Sequence, residues 1–132
     1  MQMAALGILT AEHARQEAEA IRQTFRRKRN KMLAGLRALG VRFEREPEGT
    51  FYAWGDLSGL PAGLNTGHEL FRAALTQKVI LVPGRFFDVD PGQRRMGRTS
   101  RFLHHARFSF GPEEAVIDRA LDRLRQVVAQ HA

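Results

Sequence analysis

The chain has 132 residues, 43% of them hydrophobic, which is enough for one soluble domain with its own core. It contains no cysteine, so disulfide bonds and thiolate metal sites are excluded, and its formal net charge is +7. It shows neither an apolar run of membrane-spanning length nor an export signal, and we therefore expect a cytoplasmic protein that does not bind membranes.

The first predicted element is a long helix from Thr10 to about Leu39. Thr10 suits an amino-terminal cap, and Gly40 suits a carboxy-terminal stop. Before it lies the apolar segment 2–9, which needs a surface to pack against. Apolar residues recur along the helix at three- and four-residue steps and predict one buried face: Ala18, Ile21, Phe25, Met32, Leu36 and Leu39.

Basic residues are concentrated in the middle of this helix, at Arg26–Arg29. Such a run can bind phosphate groups, and a nucleic-acid-binding domain is therefore one alternative. However, the arginines are spread along the whole chain, and no RNA-binding motif, zinc-finger spacing or aromatic stacking platform accompanies them. The pattern is more typical of solvated faces, and it does not favour a nucleic-acid partner.

Two short strands around a turn are predicted next. Val41–Glu44 alternates apolar and polar residues, and Thr50–Trp54 follows after a turn that contains proline and glycine. This pattern predicts an antiparallel hairpin. We expect its aromatic residues Tyr52 and Trp54 to belong to the core.

A helix and a strand follow the hairpin. Thr66 and Glu69 form a capping-box pattern that opens a helix extending to Lys78. The apolar run Val79–Val82 then predicts a short strand, which Pro83 and Gly84 end.

The last part of the chain predicts a long loop, a strand and a helix. Residues 88–104 lack periodicity, which indicates a functional or mobile loop, and Ala106–Phe110 forms the final strand. Pro112 is predicted at the first position of the closing helix. The order of elements predicts a single α+β domain over 1–132, with two layers: three or four mostly antiparallel strands covered by helices.

In order and spacing, these segments resemble the carboxy-terminal small domain of class I/II aminotransferases, the pyridoxal-phosphate enzymes of fold type I. The long helix resembles the family's interdomain helix, and residues 49–54, GTFYAW, resemble its Gly-x-Phe-aromatic strand. Residues 82–87, VPGRFF, resemble its Val-Pro-Gly-x-x-Phe turn, and residues 106–110, ARFSF, resemble its final strand, Ile-Arg-Leu-Ser-Phe. The arginine-rich stretch 92–103 is longer than the usual link.

This resemblance implies a role for Arg107. In the family, the arginine at this position binds the α-carboxylate of an amino acid or 2-oxo acid substrate, and the donors of a guanidinium match a carboxylate two to two. The alternative for Arg107 is an ion pair with a nearby acid. The resemblance also places Gly84 and Phe87 beside the substrate, although an ordinary turn and a core phenylalanine are their alternatives.

The catalytic groups of the family are supplied by its large domain, which this sequence does not match. None of Lys28, Lys31 and Lys78 occurs in the Ser-x-x-Lys context of the family's cofactor-binding lysine, and no glycine-rich phosphate loop opens a helix. We therefore expect pyridoxal phosphate in the full-length enzyme but none bound to this chain alone, no catalytic residue, and no transamination by the chain. It would be a truncated product or one domain of a larger enzyme, and homo-oligomeric through exposed apolar surface.

Two further expectations concern other classes of function. His104 and His105 are neighbours on a predicted strand, so they point to opposite faces, and we expect no metal site. The alternative to an aminotransferase domain is a stand-alone binding or assembly module that kept the fold without the chemistry.

Overall fold

The computed structural model describes residues 10–89 and 97–131. The apolar segment 2–9 and residues 92–96 of the arginine-rich stretch lie outside the described residues. Within the described part, no helix is long and apolar enough to cross a membrane. In chain order, its elements are α1 (Ala11–Arg37), β1 (Tyr52–Asp56), α2 (Gly67–Thr76), β2 (Val82–Pro83), a 3₁₀ helix (Gly84–Phe87), β3 (His105–Ser109) and α3 (Glu114–Ala129).

The three strands of the described residues form one antiparallel sheet in the order β1–β3–β2. Arg107 lies on the central strand, opposite Trp54 on one side and opposite Val82 on the other. The fold is therefore the predicted α+β domain with an antiparallel sheet and a long first helix. Pairing of β2 is limited to Val82–Pro83, so Pro83 belongs to the strand that it was predicted to end.

The predicted hairpin strand Val41–Glu44 is wrong. Only Arg42 pairs with β1, through backbone hydrogen bonds of 2.9 and 2.8 Å with Asp56. The residues that follow contact α1 instead: Glu46 forms an ion pair with Arg37 at 2.7 Å. The backbone therefore leaves the edge of the sheet after a single bridge.

The two faces of the sheet have different environments. Ala53, Ala106 and Phe108 are buried on the face that the helices cover. Their neighbours on β1 and β3 alternate to the other side, as the period of a strand requires. We call this second side the open face; it carries Tyr52, Trp54, Asp56, His105, Arg107 and Ser109.

All three helices contribute to one hydrophobic core. Its buried helical side chains are Met32, Leu33 and Leu36 of α1, Leu70 and Ala74 of α2, and Ile117, Leu121, Leu124 and Val127 of α3. The predicted buried face of α1 is correct only for its second half. Ala18 is exposed and Ile21 is 55% exposed, because the first half of α1 extends beyond the core.

The predicted caps account for both ends of α1 and for the start of α2. The Thr10 side chain accepts a hydrogen bond from His13 N, and Thr66 accepts one from Glu69 N. Gly40 has a φ of 101°, which permits the Schellman pattern in which Val41 N bonds to the carbonyl of Leu36.

The start of α3 differs from the prediction. The helix begins at Glu114, and Glu113 occupies the cap position without a side-chain hydrogen bond. Pro112 therefore precedes the helix and does not occupy its first position. The acidic residue Glu114 in the first turn still suits the helix dipole.

Candidate functional site

Arg107 lies half-buried on the open face, with one aromatic ring from each neighbouring strand region beside its guanidinium. The guanidinium carbon of Arg107 is 5.0 Å from the ring centroid of Tyr52, which begins β1. It is 5.1 Å from the ring centroid of Phe87, which ends the 3₁₀ helix after β2. Both distances lie within the range of cation–π contacts.

Phe87 is itself part of an aromatic cluster on this face. The ring of Trp54 meets that of Phe87 edge-on at 5.4 Å and that of Phe102 edge-on at 5.2 Å. On Trp54 the ring of His105 is stacked, with centroids 5.6 Å apart. We call Trp54, Phe87, Phe102 and His105 the aromatic cluster; through Trp54 it packs against the ring of Phe87.

The prediction that Tyr52 belongs to the core is wrong, because it is 37% exposed and its ring contacts a charged group. Trp54 is half-buried within the aromatic cluster. The alternation of β1 predicts that Tyr52 and Trp54 share a face, but not which face the helices cover, and the register of β1 with β3 adds Arg107 to that face. That assignment depends on Ala53 and Phe108, the residues that do face the helices.

No hydrogen bond or ion pair of the Arg107 side chain is formed with any residue in the described ranges. The alternative role for Arg107, an ion pair with a nearby acid, therefore has no support within those ranges. A guanidinium has five N–H donors directed outward in its own plane, while its two faces suit aromatic rings. Arg107 has such ring contacts, and its donors are available to an anion.

Gly84 is buried at the start of the 3₁₀ helix. A Cβ atom on this residue would lie 2.6 Å from the carbonyl oxygen of Phe102 and 2.7 Å from that of His105. Packing against backbone thus requires glycine here. The same packing sets the course of the 3₁₀ helix, which ends with Phe87 beside Arg107.

Asp88 is a site-forming residue that the sequence did not reveal. Its carboxylate accepts hydrogen bonds from Ser100 Oγ at 2.8 Å and from Arg101 N at 3.0 Å, and the side chain is only 8% exposed. The Arg101 guanidinium lies 3.3 Å from its second oxygen. Asp88 therefore joins the two ends of the long loop, next to Phe87 and Phe102.

Asp56 ends β1 opposite His105 on the same face. Its carboxylate accepts hydrogen bonds of 2.9 Å from both the backbone N and the Oγ of Ser58. Burial, the largest single influence, raises the pKa of Asp56, but these bonds together with His105 and Arg42 outweigh it and lower the pKa.

The three lysines lie away from Arg107. Lys28 donates to the carbonyl of Gly111 at 3.1 Å, and Lys78 is exposed just after the last turn of α2. Lys31 lies 2.9 Å from Asp118 of α3, and this hydrogen bond is the main cause of its raised pKa. None of them contacts Arg107 or the aromatic cluster, so the residues of this chain do not fit a lysine-bound cofactor at this site.

The two adjacent histidines serve different contacts. His104 Nδ1 lies 2.7 Å from the carbonyl oxygen of Asn65, to which it donates, and His105 is stacked on Trp54. Over residues 10–89 and 97–131, no group of three or more His, Cys, Asp or Glu side chains could hold a metal ion.

Comparison with known proteins connects this site to a family. The family described as aminotransferase class I and II matches residues 1–124. The aspartate/prephenate aminotransferase of Thermus thermophilus is 31% identical over 131 residues, which are 98% of this chain and 29% of that protein. The chain thus spans less than a third of this relative.

Solved structures show the same relationship. The Thermus thermophilus aspartate aminotransferase with maleate is 30% identical, with a TM-score of 0.71 over 94% of this chain and 28% of that chain. An aminotransferase from Mycobacterium tuberculosis is 26% identical, with a TM-score of 0.69 over 98% of this chain and 30% of that chain.

Proposed function

The chain belongs to the class I and II aminotransferases, and from that premise we propose that it forms the small, substrate-carboxylate-binding domain of a pyridoxal-phosphate-dependent enzyme. The observation that carries the proposal is the state of Arg107. Its guanidinium has an aromatic ring from each side of β3, and it has no anionic partner within the described part of the chain. That arrangement suits recognition of a carboxylate.

In this proposal, Arg107 binds the α-carboxylate of an amino acid or 2-oxo acid. A two-to-two hydrogen-bonded pair fixes the orientation as well as the position of the substrate, so that its reacting bond is held in one direction. Phe87 borders the carboxylate site with its ring. Gly84 would help to position the 3₁₀ helix through its close packing against backbone, and its direct contact with substrate stays a prediction.

The cofactor and its lysine are assigned in this proposal to a large domain outside these 132 residues. Pyridoxal phosphate supplies the electron-accepting ring in enzymes of this family. The positions of Lys28, Lys31 and Lys78 support that division, because each contacts residues away from the open face or lies on the surface. Transamination would then require both domains. The predicted cytoplasmic location and homo-oligomer belong to the same proposal.

The carboxylate site can be tested on this chain directly. With ¹⁵N-labelled arginine, we expect the Nε–H signal of Arg107 to shift saturably when maleate is added, and not when its uncharged dimethyl ester is added. Arg107→Gln should weaken maleate binding at least about tenfold, because a hydrogen bond to a charged group contributes about 1.5–3 kcal/mol. The measurement is a titration followed by NMR.

Arg119→Gln is the matched control, because Arg119 is exposed on α3 and its substitution removes the same charge as Arg107→Gln does. Its maleate affinity should equal that of the wild type. If Arg107→Gln also binds maleate as the wild type does, Arg107 is not the carboxylate ligand and the proposal fails.

A further inference from the structure

We propose that Tyr52 and Phe87 are positioning residues, which hold the Arg107 guanidinium from the two sides of β3 and direct its donors toward one carboxylate position. The inference deepens the carboxylate-binding role of Arg107 and rests on it. It concerns how that side chain is held before any ligand arrives.

The first step is the origin of the two rings. In the sheet order β1–β3–β2, Tyr52 comes from one neighbour of the central strand, and Phe87 follows the other neighbour. Tyr52 is paired with Ser109, two residues beyond Arg107, so its ring reaches the guanidinium diagonally. Phe87 arrives from the opposite side through the 3₁₀ helix.

The second step is that both rings are themselves supported. Phe87 meets Trp54 edge-on, and Trp54 lies directly opposite Arg107 in the register. Tyr52 meets Phe51 edge-on at 5.4 Å. The guanidinium therefore contacts two rings that each pack against a further aromatic ring.

The third step concerns which part of Tyr52 acts. Its hydroxyl makes no hydrogen bond with any residue in the described ranges, whereas its ring lies beside the guanidinium. The ring of Tyr52, and not its hydroxyl, is thus the part that holds the guanidinium, and Tyr52→Phe should preserve the position of Arg107. This separates positioning of Arg107 from a direct bond between the tyrosine hydroxyl and a ligand.

The fourth step is energetic. A free arginine side chain samples many rotamers and loses rotamer entropy when it is fixed. Two ring contacts fix part of the side chain during folding, so that less remains to be lost on binding. Since one exposed cation–π contact contributes about 0.5–1 kcal/mol, removing either ring should weaken carboxylate binding roughly two- to fivefold.

The experiment uses the same ¹⁵N-arginine NMR signal, first without ligand. Rings at about 5 Å should displace the Arg107 side-chain proton signals by their ring currents. We expect Tyr52→Leu and Phe87→Leu each to reduce that displacement and Tyr52→Phe to retain it. Phe86→Leu is the matched control, because Phe86 is 70% exposed and contacts neither Arg107 nor the aromatic cluster.

Maleate titration of the same variants gives the second readout. Affinity should fall two- to fivefold in Tyr52→Leu and Phe87→Leu, as estimated above, and stay unchanged in Tyr52→Phe and Phe86→Leu. If the two leucine variants bind maleate as tightly as the wild type, the inference is wrong even though Arg107 binds carboxylate.

The two proposals fail in distinguishable ways. Should maleate leave Arg107 unaffected while its signals show ring-current shifts that depend on Tyr52 and Phe87, the carboxylate function fails and the holding of the side chain stands. Should the unligated wild type show no ring-current displacement at Arg107, the holding fails. That second result needs no variant to fold.

Discussion

Gly84 illustrates how a residue that touches no charged group can still determine the geometry around Arg107. Its missing side chain lets the 3₁₀ helix begin against two backbone carbonyls, those of Phe102 and His105. Backbone cannot move aside as a flexible side chain can. The position of Phe87, three residues later, depends on that close approach.

We therefore expect Gly84→Ala to lower the free energy of unfolding by about 1–3 kcal/mol, the usual cost of overpacking. Urea unfolding followed by circular dichroism measures this. Gly49→Ala is the control, because nothing lies within 4 Å of a Cβ atom there, and it should change the free energy by less than about 0.5 kcal/mol. Equal effects of the two substitutions would contradict the packing argument.

Asp56 gives a pH dependence with a definite sign. Its pKa is lower in the folded chain than its ordinary value, so the folded state favours the carboxylate. That contribution is fully present above the unfolded pKa, near 4, and is lost as the pH falls through the lower, folded pKa.

Accordingly, Asp56→Asn should destabilise the chain at pH 7, and its difference from wild type should shrink below about pH 4. Urea unfolding at several pH values provides the comparison. Glu48→Gln, an exposed carboxylate without a hydrogen bond among the described residues, controls for the loss of one negative charge. A difference for Asp56→Asn that persists unchanged to pH 2 would exclude this origin.

Much of the site at this scale was predictable, but only in part from local patterns. The strand period predicts that Tyr52 and Trp54 share a face, and the motif resemblance selects Arg107, Gly84 and Phe87. The pairing of β1 with β3, which brings Arg107 beside Tyr52 and Trp54, was not predicted. The role of Asp88 was not predictable, because it depends on a contact with Ser100, which is 12 positions away in the sequence. Likewise, the exposure of Tyr52 follows from which face the helices cover, a property of the whole sheet.

At the scale of elements, α1 consists of two different halves. From Phe25 onward it packs against the core, whereas residues 11–23 are almost entirely exposed. The exposed half is stabilised by pairs within the helix, such as Arg15 with Glu12 at 3.0 Å and Arg22 with Glu19. Such exposed pairs contribute little each.

The caps of α1 and α2 should therefore respond differently to the same substitution. Thr66→Ala should lower the free energy of unfolding by about 1 kcal/mol, because α2 is packed into the core. Thr10→Ala should instead reduce helical circular dichroism at low temperature with little change in global stability, since the first turns of α1 fray alone. If Thr10→Ala destabilised the whole domain as much as Thr66→Ala, the exposed half would not be independent of the core.

Helices were more predictable than strands in this chain. Periodicity predicts the three helices of the described residues, and caps mark the starts of α1 and α2, because these signals lie within each segment. The hairpin was mispredicted because the alternation in Val41–Glu44 does not reveal two contacts with α1 that compete with strand pairing. These are the ion pair of Arg37 with Glu46 and the hydrogen bond from Arg29 to the carbonyl of Pro47. Those contacts join residues 9 and 18 positions apart, which an alternation over four residues does not cover.

At the scale of the whole molecule, apolar surface is left exposed among residues 10–89 and 97–131. Ile21, Phe51 and Ile80 are each more than half exposed, and the apolar segment 2–9 adds to them in the sequence. Such surface favours association. The net charge of +7 opposes it most strongly at low salt.

We expect concentration-dependent self-association in sedimentation velocity at 0.15 M salt. Replacing Met3, Leu6 and Leu9 by serine should weaken it at least about tenfold, given about 1.5–3 kcal/mol for burying one large apolar side chain. Ile80→Ser is the control for a single exposed apolar residue. A strictly monomeric wild type at high concentration would contradict this expectation.

The uninterrupted course of α1 has a mechanical consequence. Its 27 residues span about 40 Å, and only the final turns are embedded beneath the sheet that carries Arg107. If the helix tilts by about 5° at its embedded carboxy-terminal end, its amino-terminal end moves by roughly 3–4 Å. Misplacement of a reacting group by about 1 Å can cost about a hundredfold in rate. If another domain binds the outer half of α1, the tilt of this helix would thus set the distance between that domain and Arg107.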